Sequence, residues 1–263
     1  MTTQIVTLHT DTDGIAHVKL NRPEKHNALN MEMFFAIDKV IRQIKKDPAI
    51  RVVILSGEGP SFCSGLDVQG VLTKPANALK LLWKWLPGNA NLAQRVSIGW
   101  RRLNVPVIAV LHGNCWGGGM QIALGSDYRI ASPDCQLAIM EARWGLIPDM
   151  GGTPGLLACV SGDHAMRLAM TAESISAQQA EKIGLISQVS NTPLDDAQAM
   201  AKQLVARSPD TNGVIKRVYH GLWAGNERRI LAKETLNQIK ILFGKNQRIA
   251  VKRELGKTDI PFQ

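Results

Sequence analysis

Three consecutive glycines, Gly117 to Gly119, run straight into an apolar segment able to form a helix. Glycines in a row let backbone N–H groups approach a ligand with no side chain in the way. At a helix start those N–H groups lack intrahelical acceptors, and the helix dipole favours negative charge beside them. A backbone arranged so can stabilise an oxyanion without any side chain. Downstream stand a lone carboxylate, Glu141, and the turn Pro148-Asp149-Met150-Gly151-Gly152. The rest of the chain must position these pieces.

Residues 4–20 read as a hairpin, with Ile5 and Val6 before a Thr10–Gly14 turn and Ile15, Val18 and Leu20 after it. Asn30 is a fitting N-cap for a helix over Met31–Lys46, with Phe34, Ile37, Ile41 and Ile44 on one face. The apolar run Arg51–Gly57 suits a strand buried on both faces, and a turn leads from it to a helical stretch, Asp67–Leu72. Val105–Leu111 repeats that order, a strand leading into the glycine loop, so two similar units could aim two N–H groups at one point. Between them, residues 76–103 read as helix broken at Pro87-Gly88; Trp83, Trp85 and Trp100 at helical spacing read first as core, second as pocket wall. Short strands are expected over Ser126–Ala131 and Cys135–Ile139, and helices over 154–160, 164–170 and 177–183. Beyond Thr192 the pattern is helical, over 194–208, 212–225 and 227–243, before a basic end. The division is therefore into a core, 1–195, and a C-terminal helical subdomain, 196–263.

The 263 residues, 45% hydrophobic, suffice for one substantial core. No apolar run approaches the roughly 20 residues of a membrane span, and the first residues lack the features of a secretory or transit signal; a cytoplasmic protein is expected. Cys63, Cys115, Cys135 and Cys159 have no metal-type spacing and read as small buried hydrophobes, and the six histidines form no metal cluster, so no metal is expected. A net charge of +9 suits a polyanion, either a phosphorylated cofactor or nucleic acid, or serves solubility alone.

Taken together, NRPEKHNALN, VVILSGEGPSFCSGLD, PVIAVLHGNCWGGGMQIALGSD and EARWGLIPDMGGTPGLL, followed by AESISAQQAEKIGLISQV, resemble the crotonase superfamily of enoyl-CoA hydratases and isomerases along nearly the whole chain. The resemblance implies an α/β fold, a spiral of repeated ββα units with C-terminal helices that serve oligomerisation as a homotrimer or dimer of trimers. It implies an acyl-CoA substrate, with coenzyme A as thioester carrier and no tightly bound cofactor. The matched oxyanion-hole N–H groups are those of Leu66 and Gly118, and the CoA-binding positions are Lys25, His26, Ser64, Gly65, Asp67 and Gly117. Lys252 or Arg253 could meet the CoA phosphates, or form only a solvated basic tail.

The carboxylates bear on the reaction. Where the hydratases carry a glutamate just after the glycines, this chain has Gln121, which has no accessible pKa and cannot be a general base. The second glutamate is kept as Glu141. Asp149, eight residues later, stands where dienoyl-CoA isomerases resemble this sequence in having an aspartate. Asp149 also reads as a turn or cap residue, Glu141 as a surface carboxylate, and Gln121 as a structural amide. Proton removal α to a thioester places charge on its oxygen, where each N–H donor is worth about 3 kcal/mol. A carboxylate beside Met140, Trp144 and Leu146 would have a raised pKa, and Trp116 and Trp144 adjoin the site as walls. Glu141, Asp149 and Gln121 are thus the candidate catalytic residues. Double-bond isomerisation of an enoyl- or dienoyl-CoA is read ahead of water addition. A non-catalytic acyl-CoA- or RNA-binding relative is the alternative from another class.

Overall fold

Alternating apolar residues form the amino-terminal hairpin, β1 (Val6–Thr10) against β2 (Ile15–Leu20), closed by Asp11, whose carboxylate accepts from Asp13 N and Ile15 N at 3.0 and 2.9 Å. The computed structural model describes residues 4–72, 75–223, 226–257 and 260–262. After the hairpin, Asn30 caps α1 (Met31–Lys46) by accepting from Met33 N at 2.8 Å. Phe34, Ile37, Ile41 and Ile44 are buried on its inner face, as their spacing requires. β3 (Val52–Gly57) follows, then α2 (Val68–Leu72), α3 (Pro75–Leu82) and α4 (Leu92–Arg101). β4 (Val107–Leu111) and the short β5 (Asn114–Trp116) lead into α5 (Gly118–Ala123), and β6 (Tyr128–Ala131) and β7 (Gln136–Ala138) into a 3-10 turn, Glu141–Trp144. The remaining elements are α6 (Thr153–Cys159), α7 (Gly162–Thr171), β8 (Ser174–Ser176), α8 (Ala177–Lys182), β9 (Gln188–Val189), α9 (Pro193–Val205), α10 (Pro209–Trp223), α11 (Glu227–Leu242) and α12 (Lys245–Glu254).

The main sheet runs β1-β2-β3-β4-β6-β9, parallel throughout except at the hairpin, and β5-β7-β8 form a second sheet. β3 is buried on both faces: Val53 and Leu55 join the larger core with Phe34 and Trp100. Val52 and Ile54 face a second apolar layer completed by Ala197 and Ala201 of α9. The boundary drawn at residue 195 therefore falls inside a helix that covers the main sheet.

The short strands β5, β8 and β9 have no periodic signal of their own; pairing makes them, β5 parallel to β7, β8 antiparallel to β7 and β9 parallel to β6. The basic end is not a tail: residues 245–254 form α12, which packs on the Glu141–Trp144 turn and pairs Glu254 with Arg143 at 2.6 Å. Of the three tryptophans read as core, only Trp100 is fully buried; Trp83 and Trp85 are 64% and 83% exposed. The expected break at Pro87-Gly88 is wider, spanning residues 83–91 between α3 and α4, and Trp83 and Trp85 lie within it, in no helix. Ala224 and Gly225, the end of the expected 212–225 helix, lie outside the described residues. Cys63, Cys115 and Cys135 are buried thiols, and Cys159 is half-buried. No helix among the described residues is long and apolar enough to cross a membrane.

Candidate active site

Two strand–loop units converge. Cys63 and Cys115 form an isolated parallel bridge, and Cys63 O accepts from Trp116 N at 3.0 Å, which ties the Ser64-Gly65-Leu66 loop to the glycine loop. Gly65 has a φ of +94°, and a Cβ there would lie 2.9 Å from Trp116 O and 3.5 Å from Gly118 N. Only glycine fits that approach. Leu66 bridges to Leu29 through Leu29 N→Gly65 O and Asp67 N→Leu29 O, so its own N–H points away from that partner. Gly118 is the first residue of α5, whose N–H has no acceptor within the helix. Neither N–H donates to a backbone acceptor among the described residues.

Parallel pairing places the carboxylate. Trp116 of β5 lies opposite Ala138 of β7, and Gly117 N donates to Ala138 O at 2.9 Å. The glycine loop and Glu141 thus leave adjacent strands side by side, and a Cβ on Gly117 would approach Glu141 Oε1 to 3.6 Å. Gln121, one turn into α5, donates Nε2 to Glu141 Oε1 at 2.6 Å. Its own Oε1 accepts from Met150 N at 2.9 Å and Gly152 N at 3.3 Å, which fixes which end of the amide faces Glu141. Ser97 of α4 donates to Gln121 O. Glu141 Oε2 is enclosed and has no hydrogen-bond partner among the described residues.

Asp149 lies in the turn held by these bonds. Burial pushes its carboxyl up to about 8, and the charges of Glu141 and Glu234 push in the same direction. Burial also raises Glu141; the Gln121 amide pulls it back, and Glu234 adds to the rise. Both carboxyls are thus held above the ordinary carboxylate range, Asp149 to about 8.

Glu234, from α11, carries no motif, and sequence reading missed it. Its Oε2 accepts from Gly151 N at 3.1 Å and from Gln94 Nε2 at 3.0 Å. Gln94 has a readable cue, the N3 position of a capping box with Asn91, but that cue explains the helix start and not the bond to Glu234.

The other predicted positions divide. His26 and Asn27 have positive φ, Ser64 N donates to His26 O at 2.9 Å, and His26 Nδ1 meets Ser61 Oγ at 2.9 Å, so the Lys25-His26 turn and Ser64 lie side by side. Asp67 is committed within the chain: it pairs with Arg22 at 2.8 Å and accepts from Gly70 N at 2.9 Å, and the guanidinium holds its carboxyl below the usual range. Trp116 and Trp144 are half-buried beside the site. Trp83 instead lines an open apolar groove of about 480 Å³ between α3 and α11, with Leu79, Leu82, Leu236, Ile239 and Phe243. That groove does not include the carboxylates; Lys84 and Thr235, bonded to Gln94 and Asn91, stand between. Among the described residues no group of three or more His, Cys, Asp or Glu could hold a metal ion.

The family model described as Enoyl-CoA hydratase/isomerase matches residues 10–248. A peroxisomal Delta(3,5)-Delta(2,4)-dienoyl-CoA isomerase of Arabidopsis thaliana is 31% identical over 216 residues, 79% of this chain and 77% of that protein. A probable enoyl-CoA hydratase of Mycobacterium leprae (strain TN) is 31% identical over 252 residues, 91% of this chain and 83% of that one. Among solved structures, an enoyl-CoA hydratase/isomerase from Pseudoalteromonas atlantica T6c superposes with a TM-score of 0.85 at 20% identity, covering 98% of this chain and 100% of that one. At that identity the likeness is one of fold.

Proposed function

We propose, since this chain belongs to the enoyl-CoA hydratase/isomerase family, that it moves a double bond within an enoyl- or dienoyl-CoA by proton transfer. The observation that carries the reading is Gln121. At the place of the first hydratase glutamate stands an amide locked by Met150 N and Gly152 N and spent on Glu141 Oε1. In this reading Glu141 is the base and Asp149, its carboxyl raised by burial to about 8, is the acid. One base and one acid suffice to take a proton from one carbon and return one to another.

In this scheme Glu141 Oε2 removes a proton from a carbon of the substrate's unsaturated system. The electron pair spreads onto the thioester oxygen, which the Leu66 and Gly118 N–H groups receive. As the pair returns, Asp149 gives its proton to a second carbon and the double bond has moved. Glu141 then holds a proton and Asp149 is ionised; transfer back between them restores the starting state. Lys25, His26, Ser64, Gly65 and Gly117 form the CoA rim, where the two glycines leave room for a thin pantetheine arm. Asp67 serves that rim by holding Arg22. Exposed Leu157, Met166 and Met170 on α6 and α7 support assembly as a trimer or dimer of trimers, checked by light scattering.

Water addition is the second reading, favoured by one feature: the pair of Gln121 and Glu141 could seat a water. Incubation with crotonyl-CoA, a 3-enoyl-CoA and a 3,5-dienoyl-CoA in heavy-oxygen water separates the two. A double-bond shift without oxygen uptake, reduced about 100-fold or more by Glu141→Gln, is expected. Incorporation of heavy oxygen as the main outcome would overturn isomerisation.

A further inference from the structure

α11 contributes more than bulk to the site. Four acceptor contacts hold the backbone around Asp149. Gln238 Oε1 takes Ile147 N at 3.1 Å, Gln121 Oε1 takes Met150 N and Gly152 N, and Glu234 Oε2 takes Gly151 N at 3.1 Å. Glu234 and Gln238 are four residues apart on α11, one above the other on a single face. They grip the turn at its two ends with Asp149 between them. Both are buried, Glu234 at 5% exposure.

The grip alone does not call for a charge. A glutamine at 234 could accept from Gly151 N and Gln94 Nε2 equally well. A buried carboxylate is costly unless it is paired, and such groups gather where a site uses them. Glu234 has no salt-bridge partner among the described residues. Lys84, half-buried, reaches it only through Gln94, with Nζ at 3.4 Å from Gln94 Oε1 and 3.0 Å from Leu231 O. The ionisable groups facing Glu234 are therefore Asp149 and Glu141 on one side and Lys84 on the other. Two N–H donors meet Oε2, while Oε1 is enclosed with no hydrogen-bond partner among the described residues.

We infer that Glu234 is a positioning residue for Asp149: it holds the 147–151 turn together with Gln238, and its negative charge keeps the proton on Asp149. The inference rests on Asp149 being the acid of the proposed reaction. Burial raises the proton affinity of Glu234 itself, and the donors Gln94 and Gly151 N offset part of that rise.

The test reads the carboxyls directly, with no substrate present. Asp149 is followed by carbon-13 NMR of labelled aspartate, assigned by its loss in Asp149→Asn. In Glu234→Gln, which keeps both hydrogen bonds but loses the charge, the Asp149 midpoint should fall by about one pH unit. In Gln238→Ala the midpoint should stay in place while turnover drops, since only the grip is loosened. An unchanged midpoint in Glu234→Gln overturns the inference. So does a labelled Glu234 carboxyl that is protonated at pH 7 in the unaltered protein, a measurement that does not depend on any variant folding. Failure of the proposed reaction would appear separately, as heavy-oxygen uptake by the unaltered protein with these midpoints untouched.

Discussion

Gln121 Nε2 donates to Glu141 Oε1 at 2.6 Å, and this bond joins the glycine helix to the Glu141 turn. In Gln121→Glu, one oxygen would keep the two backbone donors and the other would face Glu141 Oε1. Two carboxylates that close must share a proton. The variant should shift products toward water addition to crotonyl-CoA and lose double-bond movement by about tenfold or more. Mass analysis in heavy-oxygen water checks it, and absence of oxygen uptake would count against the second carboxylate as the missing hydratase group.

Asp149 supplies a pH prediction with a definite sign. Its proton affinity is raised on folding, from an ordinary 3.8 to about 8. The folded chain holds a proton there that the unfolded chain releases, so stability from this group is full below pH 3.8 and is lost as pH rises through about 8. Asp149→Asn, always neutral, should melt higher than the parent at pH 9 and equally at low pH. Turnover by the unaltered protein should fall as pH passes about 8, because the acid is then ionised. Equal melting points at pH 9 would contradict the raised affinity.

The Gly65 loop sets one of the two N–H donors. Gly65→Ala must place a methyl 2.9 Å from Trp116 O at a φ of +94°. The loop should move and the Leu66 N–H with it. A fall in kcat of about 100-fold, with KM changed far less, is the expected result, together with about 1–3 kcal/mol of lost stability. An equal rise in KM would point to CoA binding as the affected step.

α10 is fastened to the core by charge. Lys216 Nζ meets Asp127 Oδ2 at 2.8 Å and the carbonyls of Trp100 and Val105 at 3.0 and 2.9 Å, all away from solvent, and His220 meets Asp127 Oδ1 at 2.7 Å. Asp127→Ala strands the ammonium and should cost about 3–5 kcal/mol. Burial lowers the proton affinity of Lys216, so the loss should shrink as pH rises and the lysine sheds its proton. Denaturant melts at pH 7 and 9.5 measure it; a pH-independent loss would mean the carboxylate acts by packing.

Local patterns specified much of this molecule. The Asn30 cap, the strands 52–57 and 107–111 and the inner face of α1 follow from capping and apolar spacing alone. Gln121, Glu141 and Asp149 were readable as a set because the glycine run and the turn flank them, and folding does bring them together. Glu234 and Gln238 were not readable. They sit on a mostly polar helix, and only the packing of α11 on the 147–151 turn gives their side chains a purpose. Asp67 looked available because its partner, Arg22, lies 45 residues earlier. Trp83 and Trp85 looked internal because helical spacing says nothing about which side of a helix break meets solvent.

The packing of α11 and α12 on residues 141–151 also fixes when the protein becomes competent during synthesis. The glycine loop, Glu141 and Asp149 are all translated before α11 exists. Until residues 227–254 have left the ribosome, the turn carrying Asp149 lacks its clamp and the Glu141 turn lacks its cover. A chain that ends before residue 227 therefore carries every group of the central motif, with the Asp149 turn held by Gln121 alone.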